Sequence, residues 1–254
     1  MKISIITATY NSAATIEDTI KSVLSQTYKH YEYIIIDGLS KDNTLEIVRK
    51  YKPQFEGRMK ILSESDKGIY DAMNKGFKIA TGDILMLINS DDLFARPDAL
   101  QLIVDTFEKY PDTDGVYADL NYVSQNNINH VVRVWKTGKQ KQMRYGWLPA
   151  HPTFYMKREC YEKYGYFSLC YPLAADFELM LRFIEKYHVK LIYLPISLVK
   201  MRLGGATSKN IQNMYKQAIE TIHAFKDNGL PGGNIFYLFF RYIPKIKQFF
   251  RKSK

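Results

Sequence analysis

The chain has 254 residues, 46% hydrophobic and 24% charged, an ordinary globular composition with room for one large α/β domain. Its net charge of +10, from 36 Lys and Arg against 26 Asp and Glu, suits anionic partners such as nucleotides, nucleic acid or acidic lipid headgroups without choosing among them. Cys160 and Cys170 fit no metal spacing, no basic-then-apolar leader precedes the first strand, and no apolar run approaches the roughly 20 residues of a spanning helix, so a reducing, cytoplasmic location is expected.

Residues 2–7 form a β-branched run that reads as a strand. Ser12 is placed to cap a helix whose apolar positions Ile16, Ile20, Val23 and Leu24 recur at helical spacing. Residues 33–36 read as a second strand, and Asp42 or Asn43 can cap the helix that follows. Residues 59–62 form a third strand and 69–80 a helix, with Gly82 placed where a helix C-terminus favours glycine. Residues 84–88 form a fourth strand, and Pro97 opens another helix. This alternation over 1–110 predicts a mostly parallel, doubly wound sheet with helices on both faces. After Tyr110 the pattern changes. Residues 116–123 and 130–135 read as antiparallel strands about a polar turn, and 138–152 as a loop. A helix over 175–187, a strand over 191–194 and a helix over 211–225 complete the pass. The expected division is 1–110, 111–227 and a basic aromatic tail, 228–254.

Polar residues follow each early strand: Thr7, Thr9, Tyr10 and Asn11; Asp37 and Ser40; Ser63, Glu64 and Asp66; and Asn89 to Asp92. In a parallel sheet these ends share one edge, where open α/β sheets bind ligands. Adjacent carboxylates such as Asp91 and Asp92 suit a hard divalent cation and, through it, phosphate oxygens, although Asn, Ser and Asp also make ordinary turns. No Gly-rich dinucleotide fingerprint or Walker loop follows the first strand.

The segments 4–11 (SIITATYN), 22–28 (SVLSQTY), 34–38 (IIIDG), 66–76 (DKGIYDAMNKG), 81–83 (TGD), 89–92 (NSDD), 151–154 (HPTF), 175–178 (ADFE) and 204–208 (GGATS) together resemble the inverting family 2 glycosyltransferases, which have the GT-A fold. The resemblance runs in consistent order over about residues 1–210, and its branch is associated with bacterial O-antigen, capsule and exopolysaccharide assembly. It implies that Thr7, Ala8 and Tyr10 line the nucleotide pocket, that Asp37 lies near uracil, and that Lys67 approaches the diphosphate. Many relatives carry a second acid after that position; here it is Gly38. The resemblance further implies that Asp91 contacts the ribose and Asp92, with Asp91 as its rival, ligates Mg²⁺ or Mn²⁺. The first acid of the usual D-x-D pattern is Asn89 here. Asp176 takes the part of catalytic base, although a carboxylate there also suits a helix N-terminus; Glu178 is its rival. His151, Gly204 and Gly205 are assigned to the acceptor side, where the two glycines would equally suit a turn.

The implied partners are a nucleotide sugar, UDP-linked, and a saccharide acceptor on polyprenyl diphosphate. The tail interleaves Phe, Tyr, Lys and Arg, which suits an amphipathic helix lying at the inner face of the cell membrane, or one packed on the domain. A sugar-phosphate nucleotidyltransferase would want a basic Gly-rich loop near the first strand. Nucleic-acid binding would want clustered basic residues, whereas here they are spread out. Nothing in the sequence fixes the oligomeric state.

Overall fold

The computed structural model describes residues 1–204, 211–234 and 237. Four parallel strands, β1 (Ile3–Thr9), β2 (Tyr31–Asp37), β3 (Met59–Ser63) and β4 (Ile84–Leu87), stand side by side in the order β3-β2-β1-β4. Because side chains alternate along a strand, each of these strands feeds two cores. Ile3, Ile5, Tyr33, Ile35 and Met86 enter one core with Ile16, Ile20 and Val23 of α1 (Ile16–Leu24), Val48 of α2 (Thr44–Tyr51) and Leu100, Ile103 and Phe107 of α4 (Ala99–Lys109). Ile6, Ile34, Ile36, Leu85 and Leu87 enter the other with Ala72, Met73 and Phe77 of α3 (Ile69–Ile79). Burial on both faces explains why the strands read as unbroken apolar runs.

Local details differ from the sequence reading in informative ways. Ser12 does not cap α1 with its side chain; its carbonyl accepts from the Thr15 and Ile16 N–H groups, while its hydroxyl lies 2.9 Å from that of Ser90. Asp42 Oδ1 accepts from both the N–H and the hydroxyl of Thr44 at the start of α2. Gly82 is needed for close approach rather than as a left-handed cap, since a Cβ there would lie 2.6 Å from the Ser4 backbone nitrogen of β1.

The second half completes a mixed, nine-stranded sheet. A two-residue strand β5 (Leu93–Phe94), β6 (Gly115–Val123), β7 (Val131–Trp135), β8 (Tyr155–Lys157) and β9 (Leu191–Arg202) extend the order as β4-β8-β6-β9-β5, with β7 antiparallel to β6 as expected. β8 runs antiparallel between β4 and β6, whereas β9 runs parallel to β6 and continues to Arg202, well past the expected end at residue 194. Two further helices, α5 (Arg158–Tyr164) and α6 (Ala175–Leu181), precede β9; a widened turn over Arg182–Lys186 continues α6. The last helix is α7 (Ile211–Asp227). Phe225 of α7 and Phe177 of α6 pack on Tyr237, with ring centroids 5.0 and 5.8 Å from it. Gly205 and, Tyr237 apart, the tail from 235 onward lie outside the described residues. No helix among the described residues is long and apolar enough to cross a membrane.

Candidate active site

The pairing of β1, β2 and β3 sets Thr9, Asp37 and Ser63 in one row at the C-terminal edge. Not every residue named from sequence faces outward there. The Thr7 hydroxyl donates to the Ile88 carbonyl at 2.7 Å and lies 3.1 Å from the Tyr33 hydroxyl, deep in the core. Ala8 is buried and Tyr10 is 58% exposed. Asp37 is fully buried, and both its oxygens are engaged: Oδ1 by the Ser40 hydroxyl, Oδ2 by the Ser63 hydroxyl at 2.7 Å and the Ser40 N–H at 3.1 Å. Lys67 stands exposed in the loop after β3, its N–H bonded to Asp71 Oδ2 at 3.0 Å.

The turn after β4 holds Asn89 to Asp92. Asp92 is buried: its N–H donates to the Asn89 carbonyl, and its Oδ2 accepts from the Asn89 amide at 2.8 Å. Asn89, in the place of the first family acid, thus orients the last. Burial pushes both carboxyls up, and the neighbouring Asp91 pushes Asp92 further, with Arg202 opposing. Arg202, at the end of β9, donates through Nε to the Asp91 carbonyl and through Nη1 to the Gln125 carbonyl, both at 3.1 Å, and through Nη2 to Asp18. A divalent cation fits this turn on one observation: Asp92 Oδ1 is buried with no protein partner, beside a second carboxylate. No group of three or more His, Cys, Asp or Glu suited to a metal occurs among the described residues, so Asp91 and Asp92 would be the protein's share of the ligands.

Asp176, in the first turn of α6, accepts from the Tyr70 hydroxyl of α3 at 3.1 Å across 106 positions of sequence. Its charge also reaches His151: burial holds that imidazole below its usual range, and the Asp176 carboxylate opposes the shift. His151 opens the turn that leads into β8, and β8 runs antiparallel to β4, which puts His151 at the same sheet edge as Asn89–Asp92. Glu178 is only 4% exposed and is locked to Arg182, with contacts of 2.8 and 3.1 Å, and to the Asn228 amide at 3.1 Å. Its carboxylate has no free face. Gly204 adopts φ +100, a left-handed turn at the end of β9, with open space beyond the Gln125 side chain.

The model of the family described as glycosyl transferase family 2 matches residues 4–171, which takes in the strand-end row, the Asn89–Asp92 turn and His151. The chain belongs to glycosyltransferase family 2. A PGL/p-HBAD biosynthesis glycosyltransferase of Mycobacterium bovis is 27% identical over 208 residues, covering 82% of this chain and 79% of the relative. An uncharacterized glycosyltransferase of Mycobacterium tuberculosis is 32% identical over 188 residues, covering 71% and 68%. Among solved structures, S. aureus TarS 1-349 in complex with UDP matches with a TM-score of 0.71 and 18% identity over 100% of this chain and 76% of that one. The mannosyltransferase PcManGT of Pyrobaculum calidifontis, in complex with GDP-Man and Mn²⁺, matches with a TM-score of 0.65 and 18% identity over 94% and 69%. The sheet and its flanking helices are therefore of the GT-A kind.

Three interactions at this candidate site escape sequence reasoning. Tyr70 lies inside a recognised motif that gives no hint of a bond to α6. Arg202 is a single cation at a strand end, with no local signal. Asn89 reads as a lost charge and turns out to be the donor that fixes Asp92.

Proposed function

We propose that this family 2 glycosyltransferase moves a hexose or N-acetylhexosamine from a UDP-linked donor to a saccharide carried on polyprenyl diphosphate, in the assembly of a bacterial surface polysaccharide such as O-antigen or capsule. The observation that carries the reading is the half-buried Asp176 carboxylate, held by Tyr70 and acting electrostatically on His151, on the edge where the Asn89–Asp92 turn emerges. The acceptor hydroxyl attacks the anomeric carbon and gives its proton to Asp176 as the bond to the nucleoside diphosphate breaks from the opposite face. One displacement inverts the centre, so an α-linked donor yields a β-linked product. Tyr70 occupies Asp176 Oδ1 and leaves Oδ2 for the acceptor proton. Asp91 and Asp92 would hold Mg²⁺ or Mn²⁺, which supplies charge neutralisation for the departing diphosphate when bound.

The comparisons support the donor class: TarS has been solved with UDP and with UDP-GlcNAc, and PcManGT with GDP-Man and Mn²⁺. The basic aromatic tail supports attachment to the cytoplasmic face of the membrane, where a tethered enzyme meets a lipid-borne acceptor at high local concentration. The test is a panel of UDP-, GDP- and dTDP-sugars, assayed with and without Mn²⁺ for release of nucleoside diphosphate. Asp176→Asn is expected to lower transfer by about 10²–10⁴-fold while donor affinity holds. Undiminished turnover in that variant refutes the assigned base.

A further inference from the structure

The second acid that many relatives carry is replaced here by Gly38, and Asp37 beside it is fully buried with both oxygens already hydrogen-bonded. The structure shows what fills the gap. A Cβ on Gly38 would overlap Asp66 Oδ2, lie 3.4 Å from Asp66 Cγ and lie 3.5 Å from Tyr10 Cδ2. Gly38 is therefore the floor of a notch with the Asp66 carboxylate on one side and the exposed Tyr10 ring on the other. Asp66 arrives from the loop after β3, and its Oδ1 accepts from the Gly68 N–H at 2.9 Å. The other acids in the loops after β2 and β3 are committed elsewhere. Glu64 pairs with Lys75 at 2.9 Å, Asp71 accepts from the Lys67 N–H, and Asp42 is bound to Ala13 and Thr44. Asp66 Oδ2 faces the notch.

We propose that Asp66, not Asp37, reads the nucleotide base, and that its one free oxygen together with the Tyr10 ring selects a pyrimidine offering a single N–H, uracil or thymine. An aromatic ring gives any base a stacking surface, so Tyr10 supplies affinity without choice. Choice comes from the edge. Uracil presents one N–H, at N3, between two carbonyls. Guanine presents two adjacent N–H groups, which a carboxylate with both oxygens free would meet as a pair; Asp66 has one oxygen tied to Gly68. Gly38 is required because any side chain there would evict the carboxylate. The absent second acid is in this way replaced in space from a different strand.

This inference rests on the nucleotide-sugar reading and deepens it. The test is calorimetric titration of the full chain with UDP, CDP and GDP in the presence of Mg²⁺, on wild type, Asp66→Asn and Gly38→Ala. In Asp66→Asn the amide oxygen keeps the Gly68 bond and turns an N–H toward the base. UDP affinity is expected to fall about 10–100-fold, and CDP, whose base has an acceptor at N3, should overtake UDP. Gly38→Ala leaves Asp66 intact and should weaken UDP in the same direction by displacing its carboxylate, which keeps the test alive if Asp66→Asn folds poorly. An Asp66→Asn protein with unchanged UDP affinity and UDP-to-CDP preference overturns the inference and leaves the transfer reading standing; a wild type that prefers GDP overturns the inference and the UDP-linked donor together, while glycosyl transfer itself stands. A wild type that binds no nucleoside diphosphate overturns both.

Discussion

Strands β1 to β4 and strands β5 to β9 belong to one sheet, and they are assembled in different ways. In the first set each strand lies beside its partners in uninterrupted parallel register, and the polar residues arrive in the loops that leave the strands. In the second set a three-residue strand is wedged between β4 and β6, a two-residue strand pairs with β9, and the candidate residues His151 and Asp176 sit on a short turn and a seven-residue helix. The first set is positioned by backbone geometry. The second is tied to it by a few side chains that reach across, such as Tyr70 to Asp176 and Arg202 to the Asp91 carbonyl.

If that contrast is right, cutting a cross-link should hurt more than its surface area suggests. Arg202 is the strongest case. It is 8% exposed and ties Asp18 and the Asp91 carbonyl of the first half to the Gln125 carbonyl of the second. Arg202→Ala leaves these acceptors without their donor and removes the cation that opposes the raised affinity of Asp91 and Asp92 for protons. A loss on the order of 3 kcal/mol is expected, measured by urea unfolding, with Arg202→Lys recovering only part because an ammonium cannot span three directions at once. A loss under about 0.5 kcal/mol, the level of an ordinary surface change, would mean that the halves are joined by the sheet alone.

Tyr70→Phe cuts the second cross-link without changing packing against Phe167, whose ring centroid lies 5.2 Å away. Removing the hydroxyl takes away the donor that holds Asp176 Oδ1 in place. At neutral pH kcat should fall about 10-fold or somewhat more, as for loss of a charge-assisted bond, with donor affinity unchanged. A KM effect on the donor with kcat unchanged would reassign Tyr70 to substrate binding.

The same contrast explains what could be read without coordinates. Alternating apolar runs and helical spacing are local signals, so β1 to β4 and α1 to α4 were all legible from residues such as Ile3, Ile20, Ile35 and Leu100. β8 and β5 were not. Three and two residues carry no period, and their pairing is decided by partners far away in sequence. Asp176 stood out through the family pattern, yet the two groups it acts on, Tyr70 by a hydrogen bond and His151 through its charge, come from elements 106 and 25 positions away that no spacing rule joins. Asp37 shows the reverse: a strand-end acid reads as exposed, and only the side chains of Ser40 and Ser63 reveal that both its oxygens already accept hydrogen bonds.

A smaller effect sharpens the comparison from the opposite edge of the sheet. Glu32, in β2, is 3% exposed; it accepts from the Ser4 hydroxyl and the Thr81 N–H at 2.6 Å and lies 2.7 Å from Lys60 Nζ. Burial alone would push its carboxyl up, but Lys60, Ser4 and Thr81 outweigh burial and bring it down to about 2 from an ordinary 4.5. A carboxyl depressed in the folded state adds stability that is complete above 4.5 and is lost as the pH falls through about 2. Glu32→Gln should therefore be less stable than wild type at neutral pH, by about 1–2 kcal/mol once screening of the 48%-exposed Lys60 is allowed for, and the two should converge near pH 2. Urea unfolding at a series of pH values reads the difference directly, since every other titrating group is common to both proteins. Because Glu32 belongs to the backbone-built half and lies far from the strand ends that carry the site, kcat should not change. Curves that stay parallel down to acid would show that the Lys60 pair contributes nothing, and a fall in kcat would show that the first half also transmits strain to the catalytic side.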